Sequence, residues 1–181
     1  MARRFDGSVD FYRGWNDYQR GFGSPVGEYF IGLDNLHGLL NQGNSVYKLR
    51  IDLTMWHPQS KTRYAEYSIF DVSDEHENYR LTIGGYSGTA GDSLAGHHNG
   101  MAFTTMDQDH DKWSRNCAVR DKGAWWYNNC HFSNLFGFYS TSPWCSVIGQ
   151  CMSWYNWPKN IATPNNHYYS FKKMDMKVCP K

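Results

Sequence analysis

The chain reads as an α+β domain: a twisted antiparallel sheet with short helices, joined to a loop-rich lobe. Three observations lead there. Alternating apolar and polar runs separated by turn residues fill the first half, a short helical stretch lies among them, and a long middle segment rich in Gly, Asn, Ser and rings has no sustained period. Length agrees, because 181 residues suit a single domain with enough chain to bury a real core.

The elements follow in order. Residues 28–32 predict a short strand, and residues 34–40 a short helix with Asp34 as its N-cap. Residues 46–53 alternate as a half-buried strand should, and residues 64–70 and 79–83 follow with turn signals between them. From Gly84 to Ala162 regular pattern is lost. A loop region this long in a compact domain is either functional or disordered, and its many rings argue against disorder. Alternation resumes after Tyr169, and this last segment is expected to return to the first half's sheet. One domain, 1–181, therefore divides into a sheet lobe (1–86 and 163–181) and a loop-rich lobe (87–162).

Composition excludes several functions. The net charge of +1 gives no global electrostatic case for nucleic acid or an anionic membrane as partner. No run approaches the roughly 20 apolar residues of a membrane span. Aromatics at 17% with 17 Gly fit a turn-rich domain in which large rings supply much of the core. The start, Met1-Ala2-Arg3-Arg4-Phe5-Asp6, has no apolar stretch behind its basic pair and is not a signal peptide, so the chain is cytosolic or a piece of a longer secreted protein. The five cysteines, at 117, 130, 145, 151 and 179, favour the second. They form no CxxC pair, which argues against a zinc ribbon or thioredoxin motif, and they cluster where loops need staples. An odd number leaves one unpaired.

Two segments carry chemistry. Asp107-x-Asp109-x-Asp111-x-Trp113 concentrates hard oxygen donors in one turn, which suits calcium; a solvated acidic turn is the equal alternative. Lys112 and Ala118 stand where an EF-hand needs Gly and Glu, so it is not an EF-hand. Further on, Cys117 and Cys130 bracket Gly123 and Trp125-Trp126-Tyr127. Bridging them would contribute about 3 kcal/mol in the chain-entropy model. Such a loop is either a stapled hairpin with buried tryptophans or a preorganised pocket with His131 as a polar contact. His97, His98 and His110 lack a metal-ligand spacing, and no nucleophile elbow surrounds Ser140, Ser142 or Ser146. With no paired carboxylates of acid–base type, no phosphate-cradling loop and no Asn-x-Ser/Thr sequon, an enzyme is not expected.

These residues resemble a known family. The stretch 103–139 is similar to the C-terminal part of the fibrinogen-related domain of ficolins, tachylectins, fibrinogen chains, angiopoietins and tenascins. Arg3-Arg4-Phe5-Asp6-Gly7-Ser8-Val9-Asp10-Phe11-Tyr12-Arg13-Gly14-Trp15, Gly21-Phe22-Gly23 and Gly27-Glu28-Tyr29-Phe30-Ile31-Gly32-Leu33-Asp34-Asn35-Leu36-His37 extend the likeness over nearly the whole chain. The family has a further stretch before the Arg-Arg-Phe-Asp-Gly segment, so the resemblance implies an N-terminally truncated domain.

The resemblance implies one calcium ion, held by the side chains of Asp107 and Asp109 and the carbonyls of Asp111 and Trp113. It implies a Cys117–Cys130 bridge, a cis peptide between Asn129 and Cys130, and a ligand pocket using Asn129, Cys130 and His131. Three departures stand out. Where acetyl-binding lectins of the family have a ring, this chain has Asp121, a better partner for an ammonium or guanidinium than for a methyl. A second acidic position of the fibrinogen γ-chain pocket, which takes the N-terminus of a peptide knob, is Gly149 here. A further aromatic wall falls at Val147 or Ile148. Cys145 and Cys151, unusual for the family, are expected to form a local bridge stiffening that wall, leaving Cys179 over. The resemblance thus implies a secreted, calcium-stabilised defence lectin for acetylated or related glycans. The alternatives are a protein- or peptide-binding module recognising an amine or a receptor through Asp121, and a structural matrix module. Oligomerisation would come from regions outside this chain.

Overall fold

The computed structural model describes residues 1–43, 45–158 and 166–181, so the expected lobe boundary at 162/163 lies outside the described residues. Seven strands form one sheet: β1 (Ala2–Arg4), β2 (Phe22–Gly23), β3 (Tyr29–Phe30), β4 (Tyr47–Thr54), β5 (Thr62–Val72), β6 (Leu81–Gly88) and β9 (Lys173–Pro180). Their spatial order is β2-β3-β1-β9-β4-β5-β6, every pair antiparallel. The C-terminal segment does return, and it returns to the middle. β9 pairs with β1 on one side and with all of β4 on the other, from Tyr47↔Pro180 to Thr54↔Lys173.

Period-2 alternation explains β4, where Leu49, Ile51 and Leu53 are fully buried and their neighbours are not. In β5 the alternation changes phase. Ala65 and Tyr67 face the core, Ile69 is 51% exposed, and Phe70 and Val72 are buried again. The reversal falls at Ser68, against which Gly85 on β6 packs so closely, at φ +66°, that a side chain there would collide with the Ser68 hydroxyl.

Two local expectations need correction. The strand predicted at 79–83 begins at Leu81 rather than Tyr79, because Tyr79 has φ +50° and ends a turn. Asp34 is not a cap: helix α2 (Leu33–Leu40) starts behind Gly32, whose φ of +97° a side chain would resist, and Asp34 in the first turn accepts a hydrogen bond from the Tyr79 hydroxyl. Helix α1 (Trp15–Arg20), absent from the sequence reading, buries Trp15 and Tyr18.

Among its described residues the loop-rich lobe holds α3 (Ala95–His98), α4 (Cys117–Asp121) and a two-stranded pair, β7 (Ser133–Asn134) with β8 (Ser153–Trp154). Buried rings join it to the sheet lobe. Phe136 lies 4.8 Å from Trp125, 5.2 Å from Phe30 and 5.4 Å from Phe11, centroid to centroid. Trp125, Trp126 and Tyr127 are wholly buried, so the rings of this loop are core. Trp126 satisfies its indole N–H on the Tyr79 carbonyl at 2.7 Å.

Candidate functional site

The acidic turn is built from short local bonds. Asp107 Oδ1 accepts from the Trp15 N–H at 2.9 Å and from the Thr105 hydroxyl at 2.6 Å, anchoring the turn to α1. Asp109 Oδ1 accepts from the Asp111 N–H, and Asp111 accepts from the N–H groups of Trp113 and Cys117, both at 2.8 Å. Burial, opposed by these N–H bonds and reinforced by the Asp109 carboxylate, pushes the Asp111 carboxyl up to about 6. Among the described residues no cation pairs with Asp107, Asp109 or Asp111, and no donor meets the main-chain oxygens of Asp111 and Trp113. No group of three or more His, Cys, Asp or Glu is gathered as a metal cage among them. A cation here would rest on two carboxylates and main-chain oxygens. That donor set is all oxygen and fits calcium's chemistry.

The turn leads directly into α4, which Asn116 caps by accepting from the Val119 N–H at 3.0 Å. Cys117 on α4 bonds to Cys130, and the Asn129–Cys130 peptide is cis. Beside that bond opens a cavity of about 470 Å³. Asn129, Cys130 and His131 line it together with Val147, Ile148 and Gly149, the last three lying between Cys145 and Cys151, which are also bonded. The sequence-expected pocket residues therefore come together, with one exception.

Asp121 lies behind the lining rather than in it. Only 1% exposed, its carboxylate is gripped through both oxygens by Arg120 Nε and Nη2, at 2.8 and 2.9 Å. Burial pushes the Asp121 carboxyl up, and Arg120 opposes that shift. His131 Nε2 is 3.3 Å from the same carboxylate and 3.1 Å from the Gly149 carbonyl. Burial first, then the neighbouring His167, His98 and Arg120, hold the His131 imidazole well below its usual range, so it is neutral at physiological pH. Gly149, at φ +81°, packs over this pair: a Cβ there would fall 3.1 Å from His131 Nε2 and 3.3 Å from Asp121 Oδ1. A side chain at that point would be strained by the positive φ and crowded against the pair.

The residues that the sequence reading missed are Arg120, Phe132, Gln150 and His167. Arg120 had a signal, since a cation stands next to a carboxylate destined for burial. His167 had none, because it reaches the pocket from far along the chain; its ring lies 5.0 Å from that of His131.

An all-antiparallel seven-stranded sheet with a stapled, loop-built pocket beside an acidic turn defines a fibrinogen-like fold. The family described as fibrinogen beta and gamma chains, C-terminal globular domain, matches residues 1–181, and the chain belongs to it. It is 44% identical to human Fibrinogen-like protein 1 over 193 residues, covering 99% of this chain and 58% of that protein. It is also 44% identical to Gallus gallus Tenascin over 180 residues, covering 99% of this chain and 9% of that one. Among solved structures, the fibrinogen-like globe domain of human ANGPTL2 superposes with a TM-score of 0.90 at 40% identity, covering 99% of this chain and 78% of that one. A lamprey fibrin D-dimer complexed with the peptide Gly-His-Arg-Pro-amide superposes with a TM-score of 0.89 at 32% identity, covering 99% and 60%. The chain thus spans less than two thirds of Fibrinogen-like protein 1. No helix among the described residues is long and apolar enough to cross a membrane.

Proposed function

We propose that this domain is a calcium-braced extracellular module that recognises a protein or peptide through the pocket beside Cys117–Cys130. The observation that carries the reading is the pocket's rim. Phe132, Val147 and Ile148 are 41%, 48% and 42% exposed around the Arg120 guanidinium. Exposed apolar side chains with an arginine among them are the usual composition of a protein-binding surface. A methyl-binding wall for an acetylated glycan would want a ring where Val147 and Ile148 stand, which makes the lectin reading the weaker one. That one relative's structure holds a peptide ligand supports the class. A ligand amine would reach Asp121 only by displacing Arg120 from it.

Calcium would sit on Asp107 and Asp109 with the carbonyls of Asp111 and Trp113, holding the turn that feeds α4 and so the pocket floor. Two disulfides support an oxidising, extracellular compartment. Multimerisation through regions outside this chain would add avidity. The test is calorimetric titration, in calcium, with Gly-His-Arg-Pro-amide, with its N-acetylated form and with N-acetylglucosamine. Peptide binding that Ile148→Asp abolishes is the expected outcome. Binding of the acetyl sugar alone would return the domain to the lectins.

A further inference from the structure

Arg120 and Lys122 stand either side of Asp121 but serve different cavities. Arg120 lines the pocket above, and Lys122 lines a second cavity of about 430 Å³ together with Arg4, Asp10, Tyr12, Phe138 and Tyr139. Arg4 is the unusual member. It is 1% exposed, and its Nη1 donates to the carbonyls of Leu135 and Gly137. Its Nε is buried without an acceptor, and among the described residues none is found on Nη2 either. This Nε–Nη2 edge is the one by which Arg120 grips both oxygens of Asp121. On Arg4 the same edge is unfilled.

Among the described residues no carboxylate bonds to it. Glu28, an acid in the surroundings of Arg4, is already committed: Oε1 accepts from the N–H groups of Phe5, Asp6 and Gly7, and Oε2 from that of Val9. Among the described residues Arg4 has no ion pair. A buried guanidinium is stable when its charge and its donors are both matched. Here the charge is cushioned by the Phe11 ring at 4.2 Å and the Tyr139 ring at 5.9 Å, while two donor positions stay open. At the mouth, the Lys122 ammonium lies 5.1 Å from the Tyr12 ring centroid, and Phe138 is 62% exposed. Asp10 is the acid among the described residues lining this cavity, with Oδ1 accepting from the Tyr12 N–H at 2.9 Å.

We infer that this cavity is a second recognition site, for a carboxylate carried on an apolar group, as the C-terminal residue of a peptide presents it. The carboxylate takes the open side of Arg4 and the ammonium of Lys122, and the apolar part lies along Phe138 and Tyr139. The site does not depend on the pocket at His131.

N-acetyl-phenylalanine and its uncharged amide are the probes, titrated calorimetrically against the intact domain. The acid is expected to bind and the amide to bind at least roughly tenfold more weakly, since one charge-assisted contact is worth about that factor. Arg4 itself joins the two lobes, so the exposed rim carries the mutational test. Lys122→Glu is expected to weaken the acid roughly tenfold, Asp10→Asn to tighten it a few-fold, and Ile148→Asp to leave it unchanged. Failure of the acid to bind at millimolar concentration, equal binding of acid and amide, or indifference to both rim substitutions would overturn the site.

Discussion

The sheet lobe and the loop-rich lobe solve the same problem by different means. In the sheet, buried backbone groups satisfy one another along β4, β9 and β5, and side chains need only fill space. In the loop lobe, side chains take over the backbone's bonding. His98 Nδ1 donates to the Trp126 carbonyl at 2.7 Å, while its Nε2 accepts from the N–H groups of Phe132 and Ser133. Asn134 donates to the carbonyls of Asp121 and Gly149 and accepts from the Tyr127 hydroxyl at 2.7 Å. Two disulfides complete the lobe. A loop-built lobe can thus be irregular and still well packed, provided that each orphan backbone group finds a side chain. The cost is sensitivity, since a ladder survives most substitutions and a single histidine clamp does not.

The largest effect should come from opening Cys117–Cys130 by double substitution to alanine. About 3 kcal/mol of stability is expected to go, and the near-UV signal of the packed rings should melt ahead of the far-UV sheet signal. Leu49→Ala in β4, at about 3 kcal/mol from cavity formation, should instead lower both signals together. If the two substitutions gave the same pattern, the lobes would be one cooperative unit and the contrast would fail.

Calcium comes next. Saturating ion at about a hundred times its dissociation constant should stabilise the domain by about 2.7 kcal/mol, read as a rise in Tm that chelation reverses. Asp109→Asn is expected to remove most of that response. A Tm indifferent to both calcium and chelator would dismiss the brace.

Acid should act on the loop lobe first. Burial holds His98 down to about 3 and His167 down to about 4, against 6.5 for the free side chain, and His131 also lies well below 6.5. The unfolded chain therefore takes up protons that the folded one refuses. This contribution to stability is complete above pH 6.5 and falls as pH drops from there toward 3. Thermal melts at pH 7.5 and 4.5 should show a clear fall in Tm, with the aromatic signal lost before the sheet. A flat profile across that range would contradict the clamp. The smallest effect belongs to Cys179, half-buried on β9 and without a disulfide partner among the described residues, whose change to serine should stay within about 0.5 kcal/mol.

Much of the sheet was legible. β4 and β9 announce themselves by alternation because one face of each is buried, and β9's return to the first half's sheet followed from the same pattern. The two- and three-residue strands β1, β2 and β3 were only partly visible, since pairing over so few residues is decided by the partner. The phase change at Ser68 was hidden for a similar reason, because it depends on Gly85 across the ladder. In the candidate site, the bonded cysteine pairs, the cis peptide and the His131–Val147–Ile148 pocket were all anticipated, most of them through family resemblance rather than residue pattern.

By itself, then, the sequence determined the fold class, the staples and several residues that line the pocket beside Cys130, because periodicity, cysteine placement and motif order are local properties that survive in one dimension. The fate of its charges was decided only in three dimensions. Asp121 looks like an open amine partner until Arg120 and Gly149 close over it, and Arg4 looks like an ordinary surface arginine until the two lobes bury it. Burial and pairing depend on which distant segments meet, and the sequence does not state that.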